Sequence, residues 1–339
     1  MTYNALLPEL QVLLQLHAAG ELAYKLGADR RQIRKTPQLK ALHEWLLAHT
    51  ESGAITRQEE VSMVPPLFLD VHPGHIILDM CAAPGSKTAQ LLEMVTAPAS
   101  TSTAGESPEG LVIANDANRD RAYLLAHQCR RTAAPCLCVT WCAAQLFPTL
   151  GPDAGGKGTV DKGIFDRVLA DVPCSGDGTA RKAPNIWRMW STHGPLTLHP
   201  LQLSIAARGA ALLKVGGLMV YSTCSLCPYE DEAVIAELLR RGKGGLELVD
   251  VTHELPGLKR RKGISSWVVL DDKTQVYVPE ALNQRLRRSC FPPTAEEAPG
   301  LHLDRCMRFL PHDQDTGGFF VAVLRKVSAV TANMVSDAA

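Results

Sequence analysis

Two cysteines sit in loops of small and polar residues that follow apolar runs. One loop is Asp171-Val172-Pro173-Cys174-Ser175-Gly176-Asp177-Gly178; the other is Ser222-Thr223-Cys224-Ser225, its cysteine 50 positions further on. In an open α/β sheet the loops at the carboxyl ends of the strands converge on one crevice, so both thiols can meet over a single substrate. A thiolate is a strong, soft nucleophile, suited to adding to an electron-poor ring carbon. Carbon 6 of cytosine is such a centre, and carbon 5 becomes enamine-like, hence reactive, only after a thiolate has added there. Free cysteine titrates near about 8.5, so the site must favour the thiolate through helix dipoles or a cation such as Lys87. Asp171 would hydrogen-bond N3 and the exocyclic amine while charge develops on the ring, a general-acid or electrostatic role. Once carbon 5 is substituted, its proton must leave and the thiol be expelled, which a second thiol can assist. Bare chemistry leaves open which cysteine attacks.

The remaining cysteines carry less information. Cys81, Cys129, Cys136, Cys138, Cys142, Cys290 and Cys306 read as small, buried, inert hydrophobes. Cys224 and Cys227 form a Cys-x-x-Cys, but no second pair or His cluster at zinc spacing accompanies them, so no metal is expected.

A second site element lies earlier. The apolar run Ile76 to Asp79 leads into Met80-Cys81-Ala82-Ala83-Pro84-Gly85-Ser86-Lys87-Thr88 and then a helical stretch. Strand, small-residue turn and helix make a nucleotide-type cofactor site, where the backbone comes close to the ligand and the helix start offers free N–H groups. The turn lacks the first glycine of a phosphate-cradling loop, and it also lacks the Gly-x-Gly-x-x-Gly pattern of dinucleotide enzymes, which disfavours an oxidoreductase. The next strand ends at Asp116, an acid that can accept from both ribose hydroxyls of an adenosine cofactor.

These loops need strands to hold them. Apolar runs at Ile76–Asp79, Leu111–Asn115, Cys136–Thr140, Arg167–Ala170, Gly217–Ser222 and Gly318–Leu324 alternate with helical stretches at Ser86–Met94, Asp120–Thr132, Leu201–Leu213 and Glu230–Arg240. The alternation predicts an α/β fold, a doubly wound sheet with helices on both faces. Residues 96–110 and 151–163 read as inserted surface loops. Residues 1–60 read as a helical N-terminal region, with Leu39, Leu42, Leu46 and Leu47 on one face and basic residues at Arg30 to Lys35 as candidate RNA phosphate contacts. A catalytic domain follows over 61–328, then a disordered tail over 329–339. A second basic patch, Lys259-Arg260-Arg261-Lys262 with Arg285, Arg287 and Arg288, is another candidate for phosphate contact.

Composition narrows the class without choosing a partner. Of 339 residues, 46% are hydrophobic and 21% charged, and 35 Lys plus Arg balance 35 Asp plus Glu, so a polyanion would have to bind through local clusters. Ten cysteines in a chain whose first residues lack the layout of a signal peptide read as reduced thiols. No apolar run approaches the roughly 18 residues of a membrane span. The expected address is the nucleus, nucleolus included, or the cytoplasm, with no membrane association.

Taken together, the motifs resemble the Sun-type RNA cytosine-5 methyltransferases, most closely their eukaryotic tRNA-modifying branch. The resemblance runs from about Arg34 to Lys326. It includes Ser62-Met63-Val64-Pro65-Pro66, Asp79 to Thr88, Asp171 to Lys182, Tyr221 to Glu232, Glu254-Leu255-Pro256-Gly257-Leu258 and Thr316-Gly317-Gly318-Phe319-Phe320. It implies a Rossmann-like methyltransferase fold with S-adenosyl-L-methionine held by Cys81, Ala82, Ala83, Pro84, Gly85, Ser86, Lys87, Asp116 and Asp171. It also implies that Cys224 attacks carbon 6 and Cys174 assists release, giving 5-methylcytosine in RNA, most of all tRNA. One position departs: relatives carry an acid against the adenine where this chain has Ala143 in Trp141-Cys142-Ala143-Ala144. Losing one such hydrogen bond costs about 0.5–1.5 kcal/mol, about two- to thirteenfold in affinity. That loss, and a chain shorter than its resemblants, motivate the alternative of a weak or inactive RNA-binding or assembly factor. RNA contact would then fall to Arg30 to Lys40 and Lys259 to Lys262. Oligomeric state is open.

Overall fold

A computed structural model describes residues 14–16, 24–26, 30–52, 55, 57–97, 110–150, 163–270 and 286–330. The chain divides into two compact units, residues 1–57 and 58–339. In the first, β1 (Leu14–Leu16) and β2 (Tyr24–Leu26) pair antiparallel, and α1 (Arg30–Lys35) and α2 (Pro37–Ser52) follow. The region is therefore not wholly helical. On α2, Leu39 and Leu42 are buried with Trp45 and Leu46 against them, whereas Leu47 is exposed, because one more position turns the side chain about 100° away from that face.

The second unit carries α3 (Val64–Leu67), β3 (Ile76–Asp79), α4 (Ser86–Val95), β4 (Leu111–Asp116), α5 (Arg119–Cys129), β5 (Leu137–Trp141) and β6 (Phe165–Asp171). After these come α6 (Ile186–Met189), α7 (His193–Leu212), β7 (Leu213–Thr223), α8 (Glu232–Gly242), β8 (Leu246–Leu248), β9 (Arg261–Lys262), α9 (Ala298–Leu301), β10 (Met307–Phe309), α10 (Pro311–Gln314) and β11 (Phe319–Lys326). One sheet takes the order β5-β4-β3-β6-β7-β11-β10-β9, with β8 on β11. β3 to β7 are parallel to one another, and β11 runs antiparallel beside β7. The strand order reverses between β3 and β6, and that is where an open α/β sheet opens its crevice.

Both faces of the sheet are covered, and side chains alternate between them as a period of two requires. Leu78, Val168, Ala170, Met219, Tyr221, Phe320 and Ala322 pack with Ile205, Ala206 and Ala210 of α7 and Val234 and Leu238 of α8. Ile77, Val112, Leu169, Val220, Val321 and Val323 pack on the other face with Leu91 and Leu92 of α4 and Leu125 of α5. Each fully buried Leu, Ile, Val or Phe contributes about 1.5–3 kcal/mol. Lys326, buried at the end of β11, donates to the carbonyls of Ala211 (3.0 Å) and Leu213 (2.7 Å), satisfying acceptors left over where α7 ends.

α7 begins eight residues before Leu201, the start expected from the sequence, and carries Pro200 inside it. Burial outweighs the missing N–H there: His199 is enclosed, with its ring nitrogens 2.6 Å from the Tyr229 carbonyl and 2.8 Å from Ser289 Oγ. At the other end, Val330 is buried in the main core, so the fold extends past 328 into the stretch expected as a tail. Most of the two expected surface loops, Arg285, and residues 331–339 lie outside the described residues.

Candidate active site

β6 and β7 pair in parallel with Asp171 opposite Ser222, which sets their two following loops side by side. Cys174 Sγ and Cys224 Sγ lie 3.2 Å apart. The pair is polarised. A hydrogen bond from Cys174 pulls the Cys224 thiol below its usual range, against burial and the Asp171 charge, with help from the Lys87 ammonium. The same bond, then burial, pushes the Cys174 thiol well up. Both effects favour the arrangement in which Cys174 is the donor and Cys224 the acceptor of the bond.

Beside them Lys87, one residue into α4, donates to Asp171 Oδ2 (2.7 Å) and to Ser62 Oγ (2.9 Å), and lies 5.5 Å from the Phe319 ring centroid. Ser222 Oγ donates to the other Asp171 oxygen at 2.7 Å. Asp171 is thus an ion-paired carboxylate in a fixed orientation.

The loops are tied from behind by residues that the sequence reading missed. Glu230, fully buried, accepts from Ser175 N (2.8 Å), Ser175 Oγ (2.6 Å), Ser225 Oγ (2.7 Å) and Gln202 Nε2 (2.9 Å), so one carboxylate grips the residue after each cysteine. Asp177 accepts from Leu226 N at 3.1 Å, and Gly178 N donates to the Cys224 carbonyl at 2.9 Å. A Cβ on Gly178 would lie 2.4 Å from the Gly318 carbonyl oxygen, so only glycine lets the three strand-end loops close. The signal for Glu230 was present as the acidic run Glu230-Asp231-Glu232 at the start of α8. Such acids ordinarily complement a helix dipole from solvent, but all three are buried here. Glu232 pairs with Arg308, which also donates to the Leu226 carbonyl. Burial, opposed by Arg308, pushes the Asp231 carboxyl well up.

The turn between β3 and α4 lies next to this cluster. Gly85 has φ +109°, and a Cβ there would meet Leu125 Cδ1 at 2.9 Å and Cys129 Sγ at 3.1 Å. Asp116, 4% exposed at the end of β4, accepts from Ala83 N (3.3 Å) and Asn118 N (2.9 Å) and pairs with Arg121 at 3.3 Å; Arg121 also donates to the Ala83 carbonyl. Asp79 is buried and accepts from Thr88 Oγ1 at 2.7 Å. Cys81 is half-buried among Asp79, Asp171 and Asp116, and burial first, then those charges, push its thiol far up, leaving it inert. The Ala143 side chain offers no acceptor, and its carbonyl accepts from Leu146 N at 2.8 Å. Its neighbour Asn115 is committed on both sides of its amide, to Met80, Cys142 and Thr140, and so does not replace the lost acid. Cys138, expected to be buried, is exposed because β5 is the edge strand.

The structure thus brings Cys174, Cys224, Asp171 and Lys87 together. The turn from Cys81 to Lys87 joins them through Lys87, and Asp116 borders that turn at Ala83. Among the described residues no group of three or more His, Cys, Asp or Glu is placed to hold a metal, and no helix is long and apolar enough to cross a membrane.

The 16S rRNA methyltransferase RsmB/F family matches residues 66–325. The Schizosaccharomyces pombe multisite-specific tRNA:(cytosine-C(5))-methyltransferase trm4b is 49% identical over 92% of this chain and 48% of its own length. A tRNA (cytosine(49)-C(5))-methyltransferase of Pyrococcus abyssi is 34% identical over 81% of this chain and 71% of its own. A methyltransferase homolog protein from Pyrococcus horikoshii superposes with a TM-score of 0.53 at 25% identity, over 89% of this chain and 74% of that one. The chain spans about half the length of the fission-yeast relative.

Proposed function

This chain belongs to the RsmB/F methyltransferase family, and on that premise we propose that it makes 5-methylcytosine in RNA, with tRNA as the substrate class. The observation that carries the reading is the close thiol pair, Cys174 Sγ 3.2 Å from Cys224 Sγ, beside the Lys87–Asp171 ion pair. Cys224, the thiolate, forms a bond to carbon 6 of an unstacked cytosine, and the ring's π electrons move toward N3. The Asp171 carboxylate accepts from the exocyclic amine, and the Lys87 ammonium stabilises the negative charge on the ring. Both are pre-aligned, so little reorganisation is needed as the charge forms.

The turn fits S-adenosyl-L-methionine: it has small side chains, a Gly85 that no other residue can replace without displacing Leu125, free N–H groups at the start of α4, and the Asp116 carboxylate. When bound, that cofactor supplies the electrophilic methyl group. Ala82, Ala83, Pro84, Ser86 and Lys87 would line its methionine side, with Asp116 toward the ribose. Once carbon 5 is substituted, its proton leaves to a water molecule, the C5–H electrons rebuild the C5–C6 double bond, and the C–S pair returns to Cys224. Cys174, which holds its proton, donates to the departing sulfur and so eases release. Ten free thiols support a reducing compartment, nucleus or cytoplasm. RNA contact by the basic stretch at α1 belongs to the same reading.

Incubation with unmodified tRNA and methyl-labelled S-adenosylmethionine tests it. Wild type should yield labelled 5-methylcytosine and Cys224→Ala none. No label on any RNA, together with no saturable cofactor binding, would overturn the reading and leave an RNA-binding or assembly factor.

A further inference from the structure

Three large apolar side chains within four consecutive positions stand in solvent at the crevice mouth: Trp187 (79% exposed), Met189 (81%) and Trp190 (41%). Single exposed apolar residues are ordinary on a folded surface, whereas a contiguous group marks a place of contact. These lie on and just after α6, a short helix that the chain reaches directly from the Cys174 loop. Trp190 Nε1 lies 3.3 Å from Ser175 Oγ, in the residue next to Cys174, so the aromatic group is continuous with the catalytic loop. Its charge is one-sided. From Gly178 to Gly194 there is no carboxylate, while Arg181, Lys182 and Arg188 are all exposed. Arg181 and Lys182 reach back to Asp315 and Glu59, which braces the segment, and Arg188 stands between the two indoles in sequence.

We propose that residues 181–190 form a stacking rim for the unpaired nucleotides on either side of the target cytosine, with bases on Trp187 and Trp190 and a phosphate at Arg188. The inference rests on the reading of cytosine in RNA as the substrate. A base enters such a crevice only after leaving its stack, and its neighbours, joined to it by single phosphodiesters, must come to lie at the mouth. Exposed indoles offer them a replacement for the lost stacking, and every base has a π-face, so the rim tolerates any flanking sequence. With Arg181 and Lys182 engaged by Asp315 and Glu59, Arg188 is the cation left between the two exposed indoles, and an indole–cation–indole run favours a nucleic-acid strand over an apolar protein partner.

The test measures affinity and steady-state methylation on a short unstructured RNA with one cytosine, and on the same RNA with abasic residues flanking it. Trp187→Ala should weaken binding to the intact RNA roughly tenfold and raise KM with little change in kcat, and Trp187→Phe should restore most of the loss. Abasic residues on both sides should cost the wild type both stacks, roughly a hundredfold, and cost Trp187→Ala only the remaining Trp190 stack, roughly tenfold, so that the two proteins bind the abasic RNA alike. Equal affinity of wild type and Trp187→Ala for the intact RNA would overturn the rim while leaving the methyltransferase reading intact. So would a Trp187→Ala loss that persists in full on the abasic RNA, which would point to a contact with something other than bases. A wild type that binds and methylates no RNA would overturn the underlying reading instead.

Discussion

Cys174 and Cys224 begin as the same side chain, and the hydrogen bond between them shifts their thiols in opposite directions, Cys224 down and Cys174 up, which is the asymmetry that the proposed roles of nucleophile and release assistant require. Neighbouring charge tunes that bond. Lys87 favours the thiolate and Asp171 opposes it, so their mutual ion pair limits the repulsion that Asp171 would otherwise exert on Cys224. Asp79 illustrates burial acting without such a partner. Burial pushes its carboxyl up to about 7, and the Thr88 hydroxyl only partly offsets this. The folded chain therefore holds a proton that the unfolded chain releases above about pH 4. The associated stability is complete below that point and is lost as pH rises through about 7. Between pH 5 and 8 the loss should be about 2–3 kcal/mol. Urea midpoints of wild type and Asp79→Asn should show it, with the variant's pH dependence flatter by that amount. Parallel curves for the two proteins would mean that Asp79 stays ionised.

At the scale of elements, Glu230 makes the β6 and β7 loops act as one unit. Glu230→Ala would leave Ser175 N and one of the two Gln202 amide hydrogens, the other being held by the Pro173 carbonyl, without an acceptor in a dry interior, costing about 2–4 kcal/mol. Thermal unfolding should register that loss, and kcat should fall more than KM rises, since what is disturbed is the placement of Cys174 against Cys224. A variant with wild-type melting and kcat would show that the loops hold their shape without it. The central strands were legible in the sequence because strands buried on both faces are near-continuous apolar runs, and the cysteine loops because they end such runs. Where local rules meet tertiary packing, the reading failed. Pro200 masked the first turns of α7, β9 and β10 are too short to leave a pattern, and Glu230 resembled a solvent-facing helix acid. The sequence also held no hint that Cys138 would fall on an edge strand.

For the molecule as a whole, zero net charge means that the proposed RNA substrate would have to be drawn to local fields. The edge of the sheet supplies one: Lys259, Arg260, Arg261, Lys262 and Arg305 line a cleft of about 470 Å³ against only two acids, Asp304 and Asp313. Arg260 and Arg261 are held by backbone carbonyls and by Asp313, whereas Lys259 and Lys262 are exposed and Lys262 is only loosely paired, 3.9 Å from Asp304, which makes these two the adaptable cations. Neutralising both to Ala should flatten the salt dependence of RNA binding by roughly 0.7 per lost phosphate contact; an unchanged slope would make the cleft ordinary solvated surface. The proposed reaction, however, rests on a division of labour between the thiols, and its most direct measure is the covalent intermediate. Wild type, Cys174→Ala, Cys224→Ala and the double variant would be incubated with tRNA and S-adenosylmethionine and resolved on denaturing gels. A protein–RNA adduct that accumulates with Cys174→Ala and is absent from both chains lacking Cys224 is the predicted result. An adduct that persists without Cys224, or one that accumulates with Cys224→Ala instead, would contradict the assignment.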